Sequence, residues 1–225
     1  MNVQTYSSGR AKSGRDRAEL AARMKIYNAL AQHIPGLNSL ESIIDVGATA
    51  DNEKDSSNFF EKIYPHPQRI TALSDQNAPW MEDEWPGLKF VQADALSMPF
   101  DDKSFDLTFS SAVIEHVGSR ENQAKFIREC IRVSKKYVFI TTPNRYYPIE
   151  LHTALPFIHW LPPKAYRCIL RCINKPFFAV ENNLNLLSKS DLIKMMNDIK
   201  GVRYTIDTIR FYGFKSNLLL VIERD

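Results

Sequence analysis

The chain has 225 residues, 44% of them apolar and 24% charged, with a formal net charge of +3. That length can bury a substantial core without cross-links, the balance is that of an ordinary globular protein, and the absence of an RNA-binding module or a long basic stripe argues against a nucleic-acid partner. Three cysteines, Cys130, Cys168 and Cys172, suit a reducing compartment; Cys168 and Cys172 would share a helix face, but no second Cys/His pair completes a zinc pattern, so these two read as packing residues.

Residues 1–15 read as a flexible, Ser- and Arg-rich arm. No apolar signal-peptide core follows Met1 and no run is long enough to span a bilayer, so a cytoplasmic location is expected. Arg17 to His33 predicts an amphipathic helix with Leu20, Met24, Tyr27 and Leu30 on one face, ended by Pro35-Gly36. Tyr6 and Tyr27 are candidates to touch a substrate, with core packing the simpler role.

The stretch from Ser42 to Ala50 carries the most information. Ile43, Ile44 and Val46 suit a strand covered on both faces, Asp45 falls at the C-terminal end where open α/β sheets bind ligands, and Gly47 permits a tight turn. Four further strands are expected at 69–73, 88–92, 105–109 and 137–141, with crossover helices at 56–64 and 121–133, the latter showing Phe126, Ile127, Cys130 and Ile131 at helical spacing. Such βα repeats imply a parallel sheet. Strands at 202–208 and 218–223 stand too close for a helical crossover and should form an antiparallel pair.

Each strand ends on polar residues: Ser74-Asp75, Gln92-Ala93-Asp94-Ala95, Ser110-Ser111-Ala112 and Thr142-Pro143-Asn144. One acidic residue after a strand is a turn former. A series along one sheet edge reads as a site.

Here the sequence resembles the class I S-adenosylmethionine-dependent methyltransferases, within them the small-molecule branch called type 11. The resemblance covers roughly Asp45 to Pro163 and rests on Ile44-Asp45-Val46-Gly47, on Gln92-Ala93-Asp94-Ala95, on Leu96-Ser97-Met98-Pro99-Phe100-Asp101-Asp102-Lys103-Ser104-Phe105-Asp106, and on Ser110 to Val117. It implies a Rossmann-like, doubly wound, mainly parallel seven-stranded sheet with an antiparallel C-terminal strand, in one domain over 16–225. It also implies S-adenosylmethionine as cofactor, contacted by Asp45, Gly47, Ala48, Thr49, Ser74, Asp75, Asp94, Ala95, Ser110 and Ser111. Two departures stand out. The usual Gly-x-Gly-x-Gly keeps only Gly47, and the acidic residue expected at the end of the second strand aligns with Ser74, one residue before Asp75. A nicotinamide-binding domain fits less well, because the loop lacks the further glycines and continues with Asp51, Glu53 and Asp55, which would repel a diphosphate. A donor with sulfonium and ammonium charges tolerates that acidic rim.

After the fifth strand about 45 residues precede the next expected helix at Lys189, a long gap by ordinary loop lengths. This aromatic and proline-rich insertion, about 144–186, is expected to form an acceptor lid, with Asn144, Arg145, Tyr146, Tyr147, His152 and Trp160 as substrate contacts. A satellite hydrophobic cluster is its simpler reading. Phe157, Ile158, Trp160, Leu161, Ile169, Leu170, Phe177 and Phe178 alternate with Lys164, Arg167, Arg171 and Lys175, which suits peripheral membrane contact through 155–178. That basic group, and Arg10, Lys12, Arg15, Arg17 and Arg23, otherwise form a solvated surface.

The reaction implied is transfer of a methyl group to a small-molecule, sugar-linked or lipid-linked acceptor, at oxygen; a catalytically silent binding module of the same fold is the alternative. A hydroxyl acceptor benefits from a base. His152, following Glu150, is the first candidate and His116 the second, with His33 and His66 on the surface and His159 unassigned. Glu115-His116 partly resembles the Glu-x-x-Glu-His metal pattern of ubiquinone O-methyltransferases and small-RNA 2'-O-methyltransferases. Ala112 replaces its first Glu, so no metal is expected.

Overall fold

The computed structural model describes residues 14–51 and 56–224, with side chains from residue 17 onward. Tyr6, Arg10 and Lys12, most of the expected arm, and the loop acids Glu53 and Asp55 lie outside the described residues. Gly14 and Arg15, expected in the arm, already belong to helix α1, Gly14–His33. Leu20, Tyr27 and Leu30 of that helix are buried, so Tyr27 takes the packing role.

Seven strands form one sheet in the order β3-β2-β1-β4-β5-β7-β6. They are β1 Ile43–Val46, β2 Ile70–Ser74, β3 Lys89–Gln92, β4 Phe105–Ser111, β5 Ser134–Pro143, β6 Val202–Phe211 and β7 Phe214–Arg224. The pairs β1 with β2, β1 with β4, and β2 with β3 are parallel, while β6 and β7 are antiparallel. This is the expected α/β class, strand for strand.

The C-terminal pair differs in one respect. The strands run beyond their expected ends at 208 and 218 to a two-residue turn at Tyr212-Gly213, with φ values of 48° and 82°. Positive φ at both central positions is the turn whose twist matches a hairpin, and Gly213 takes its share at no steric cost.

The chain divides into two compact units. The first comprises residues up to Phe109 together with Arg132–Tyr137. All four residues of β1 are buried, as its apolar sequence requires. Helix α2, Phe59–Ile63, lies within the expected 56–64 segment and seats Phe60 on Phe109, ring centroids 4.5 Å apart. Helix α3 is Trp80–Glu84.

The second unit comprises Ser110–Ile131 and Val138 to the C-terminus. Helix α4, Arg120–Val133, begins one residue before its expected start. Helix α6, Lys189–Met196, starts where expected, capped by the Ser188 side chain and Asp191 in reciprocal hydrogen bonds. Between them lies α5, Pro163–Cys172, whose Tyr166 and Leu170 form a small buried cluster with Ala179. Since positions 166 and 170 face inward, 168 and 172 face the opposite way. Cys168 and Cys172 are therefore exposed rather than packed, and only Cys130 is buried.

Candidate functional site

In the first unit, the chain leaves β1 through Gly47 at φ 98°. Gly47 and Ala48 both donate backbone N–H groups to the Leu73 carbonyl, at 2.8 and 3.1 Å, folding the loop onto the end of β2. Asn58 clamps the far side: its Oδ1 accepts from the Thr49 N–H, and its Nδ2 donates to the Thr49 carbonyl, both at 2.9 Å. Asn58 sits at φ 47°, a left-handed conformation that asparagine tolerates.

Beneath this loop Asp45 is 7% exposed and Glu61, from α2, is 2% exposed. Neither Glu61 oxygen meets a donor among the described residues. Burial, and then the adjacent Glu61 carboxyl, push Asp45 well above the usual carboxylate range; burial likewise raises Glu61. Burial of two neighbouring acids favours their protonated forms. Arg23, whose guanidinium lies 5.2 Å above the Phe59 ring, opposes the shift of Asp45.

The neighbouring strand ends supply the remaining first-unit candidates. Ser74 is buried, and its Oγ accepts from the Gln76 N–H at 3.2 Å, so its hydroxyl is engaged in its own turn. Asp75 is exposed. Its carbonyl accepts from Gln92 Nε2 at 3.1 Å, tying the ends of β2 and β3 together. Asp94 is exposed, with Oδ1 accepting from the Leu96 N–H at 2.8 Å, and Ala95 lies within that same turn. The carboxylates of Asp75 and Asp94 thus stand in the open beyond adjacent strands.

In the second unit, β4 ends on buried Ser110 and on Ser111, whose Oγ lies 3.0 Å from Thr141 Oγ1. Ala112 then adopts φ 61°, and the turn delivers Glu115 and His116. Glu115 is fully buried; its Oε2 accepts from Thr142 Oγ1 at 2.9 Å, and its Oε1 lies 4.0 Å from His116 Nε2. His116 Nδ1 is 2.7 Å from the Asn183 carbonyl. His152 arrives from 36 residues away, its Nε2 3.1 Å from His116 Nε2. The opposite ring nitrogen of His152 is 2.7 Å from Glu150 Oε1. Burial pushes the Glu150 carboxyl up, but hydrogen bonds from the His152 ring, the Thr153 N–H and the His152 N–H outweigh it and hold the group down at about 2.

The two histidines expected at the acceptor site therefore meet, and the other candidates there divide. Asn144 braces the fold, donating to the Lys215 carbonyl at 2.9 Å while its Oδ1 accepts from the Tyr146 N–H. Arg145 donates to the Leu161 carbonyl, and buried Tyr147 offers its own carbonyl to His159 Nε2 at 2.8 Å. Tyr146 and Trp160 are exposed, Trp160 edge-on to Phe157 at 5.0 Å. Asn144, Tyr147, Glu150 and His159 line a narrow cleft. Sequence reasoning missed Glu61 and Asn58, both inside the helix expected at 56–64, and it missed Thr142 as the support of Glu115.

Comparison with known proteins agrees with this architecture. The profile of a family described as "Methyltransferase domain" matches residues 65–140. Two sequences from Mycobacterium tuberculosis strains, each named "Probable S-adenosylmethionine-dependent methyltransferase", are 34% identical over 67 residues, 29% of this chain and 23% of theirs. The match thus spans under a quarter of those relatives' length. Magnesium protoporphyrin IX methyltransferase from Synechocystis PCC 6803, solved with bound S-adenosylhomocysteine, shares the fold at a TM-score of 0.61 and 10% identity, over 99% of this chain and 93% of that one. An S-adenosylmethionine-dependent methyltransferase from Mesorhizobium loti gives 0.60 at 14% identity, over 94% and 100%. The N-methyltransferase NodS from Bradyrhizobium japonicum WM9 gives 0.53 at 11%, over 92% and 96%. Residues 65–140 thus carry a segment similar to the methyltransferase-domain family, within a fold shared with solved S-adenosylmethionine-dependent methyltransferases.

Proposed function

We propose that the chain, acting as one catalytic domain over 16–225, transfers the methyl group of S-adenosylmethionine to the oxygen of a small-molecule, sugar-linked or lipid-linked acceptor. The observation that carries the cofactor half is the donor set of the first unit. Open carboxylates at Asp75 and Asp94, and the buried Asp45–Glu61 pair under the Gly47 loop, offer acceptors and negative charge. A ligand with a sulfonium, an ammonium, a ribose diol and an adenine amine fits such a set, whereas a diphosphate does not. In this reading Asp94 receives the adenine amine, Asp75 with Ser74 the ribose, and Asp45 with the backbone of Gly47, Ala48 and Thr49 the amino-acid end. Ala95, Ser110 and Ser111 complete the contacts.

The bound cofactor supplies an electrophilic methyl carbon and a neutral thioether leaving group. The chain's own work is to position the acceptor, keep water away and take its proton. His152 is suited to taking that proton. With Nδ1 hydrogen-bonded to the Glu150 carboxylate, its Nε2 is the basic nitrogen, and Glu150 stabilises the charge it acquires. Tyr146, Trp160 and His116 would face the acceptor, with Asn144, Arg145 and Tyr147 holding the lid in shape.

A lipid-linked acceptor is supported by the surface of 155–178. Phe157, Trp160, Leu161, Ile173 and Phe177 are between 40% and 63% exposed, interleaved with exposed Lys164 and Arg171. Apolar rings among basic groups are what peripheral membrane segments present. Among the described residues no helix is long and apolar enough to cross a membrane. A cytoplasmic protein touching the membrane from one side is the proposed setting.

Calorimetry with S-adenosylhomocysteine tests the reading. Wild-type protein should bind, and Asp94→Ala should bind more weakly by about 1–3 kcal/mol, the range for a hydrogen bond involving a charged group. A folded wild type that binds none would overturn the transferase reading; binding of cofactor with no acceptor methylated by the protein in a lipid and metabolite extract would leave the silent-module alternative.

A further inference from the structure

We infer that Glu115, His116 and His152 form a site for one divalent transition-metal ion. What points to it is where the protons sit. A neutral imidazole carries one N–H. His116 Nδ1 lies 2.7 Å from the Asn183 carbonyl, which can only accept, so that ring keeps its proton on Nδ1. His152 Nδ1 lies 2.7 Å from the Glu150 carboxylate, and the same reasoning puts its proton there. Both Nε2 atoms then present lone pairs, and they are 3.1 Å apart.

The third party is Glu115 Oε1. It is buried, meets no donor among the described residues, and stands 4.0 Å from His116 Nε2. The three ligand atoms lie within 4.8 Å of one another. Three acceptors facing inward repel unless something positive lies among them. A shared proton satisfies the two nitrogens and leaves the carboxylate oxygen unmet; a metal ion satisfies all three.

Each ligand is also held from behind: Glu115 by Thr142, His116 by the Asn183 carbonyl and His152 by Glu150. Such support fixes ring tautomers and raises ligand basicity, and it recurs behind metal-binding histidines. Ala112 stands where the sequence pattern has its first carboxylate and leaves it one ligand short, and His152 restores the count to three. Two imidazoles and one carboxylate suit zinc, iron(II), cobalt(II) or manganese(II) rather than the all-oxygen ions magnesium and calcium. The His116 side chain, 36% exposed, leaves the site open on one side, so that further positions remain for an acceptor's oxygens.

The inference deepens the acceptor reading and depends on it only for the ion's use: with the ion bound, His152 Nε2 is its ligand and no longer the base, and the ion would polarise the acceptor oxygen and ease loss of its proton; ion binding itself is measurable with neither donor nor acceptor present. Chelator-stripped protein titrated with Co²⁺ should take up one equivalent with visible ligand-field absorbance, displaced by Zn²⁺ and unaffected by millimolar Mg²⁺. His116→Ala and His152→Ala should each weaken Co²⁺ binding about 100-fold, and Glu150→Gln, acting through the His152 ring, about 10-fold. Zn²⁺ should raise the melting temperature of the wild type and not of the two histidine variants. Failure of the wild type to bind Co²⁺ stoichiometrically, or wild-type affinity in cooperatively melting His116→Ala and His152→Ala variants, would overturn the site. If Co²⁺ binds as described while no acceptor is ever methylated, the site stands and the acceptor reading falls.

Discussion

Two buried carboxylate sites in this protein have opposite electrostatics. Asp45 and Glu61, in the first unit, lie side by side with no donor reaching Glu61 among the described residues, and both are pushed up. Glu150, in the second, is about as buried, yet three donors at 2.6–2.9 Å hold it near 2. Burial is therefore not what decides whether an acid is charged here; the supply of N–H groups is. The first arrangement favours protonated acids beneath the Gly47 loop. The second fixes a permanent anion behind an imidazole.

The contrast is sharpest in its pH dependence. Glu150 is lowered from 4.5 to about 2 in the folded protein, so it stabilises the fold above its unfolded value, and that contribution is lost as pH falls from about 4.5 to 2. At about 1.4 kcal/mol per unit, roughly 3 kcal/mol is at stake. Denaturant titrations of metal-free protein across that range should show the loss, and Glu150→Gln should remove it. A variant with the same acid limb would mean that Glu150 is not the anion described.

His152→Ala probes the function of that anion's partner. Once an acceptor is in hand, the methyl-transfer rate should fall by about 100-fold or more with affinity for S-adenosylhomocysteine nearly unchanged. An unaltered rate removes His152 from the chemistry.

The first-unit pair should behave in the reverse sense. Its raised values mean that its stabilisation is present at low pH and lost as pH rises through the folded values. Glu61→Gln leaves Asp45 a neutral hydrogen-bonding neighbour, so the alkaline-side decline should flatten by about 1 kcal/mol, the scale of one net hydrogen bond. Donor binding should release protons, read as a buffer-dependent calorimetric enthalpy, because an ammonium group beside the pair favours its ionised form. An enthalpy independent of buffer would separate Asp45 from the cofactor.

The smallest effect is expected at the exposed aromatic surface. Phe177→Ala and Trp160→Ala should each reduce sedimentation with anionic vesicles by a few-fold and leave neutral vesicles unaffected, as loss of one partly inserted ring predicts. Equal binding by both variants would assign these rings to the lid alone.

The sheet was legible because strand-forming runs such as Ile43-Ile44 and Val138 to Ile140 are dense and apolar, and each ends on a polar loop. The turn after the first strand was legible at Gly47, which takes φ 98°. What escaped was pairing at a distance. Nothing local in Phe59-Phe60-Glu61-Lys62-Ile63 says that its acid turns inward to meet Asp45, because a charge in a short helix reads as its wet face. The 3.1 Å meeting of His116 and His152 likewise depends on a turn at Ala112 with φ 61°, a conformation that composition does not announce in a residue other than glycine. Asn144 looked like a ligand contact because it ends a strand, and its amide is instead consumed by the Lys215 carbonyl.

The outward thiols of α5 give this molecule a built-in attachment point. Cys130 is sealed in the core, and burial pushes its thiol far up, so an alkylating reagent at neutral pH has only Cys168 and Cys172 to meet. Both lie on one side of the helix that carries the basic residues and stands beside the exposed rings. A polarity-sensitive dye placed there without any engineering would report directly on whether this surface leaves water.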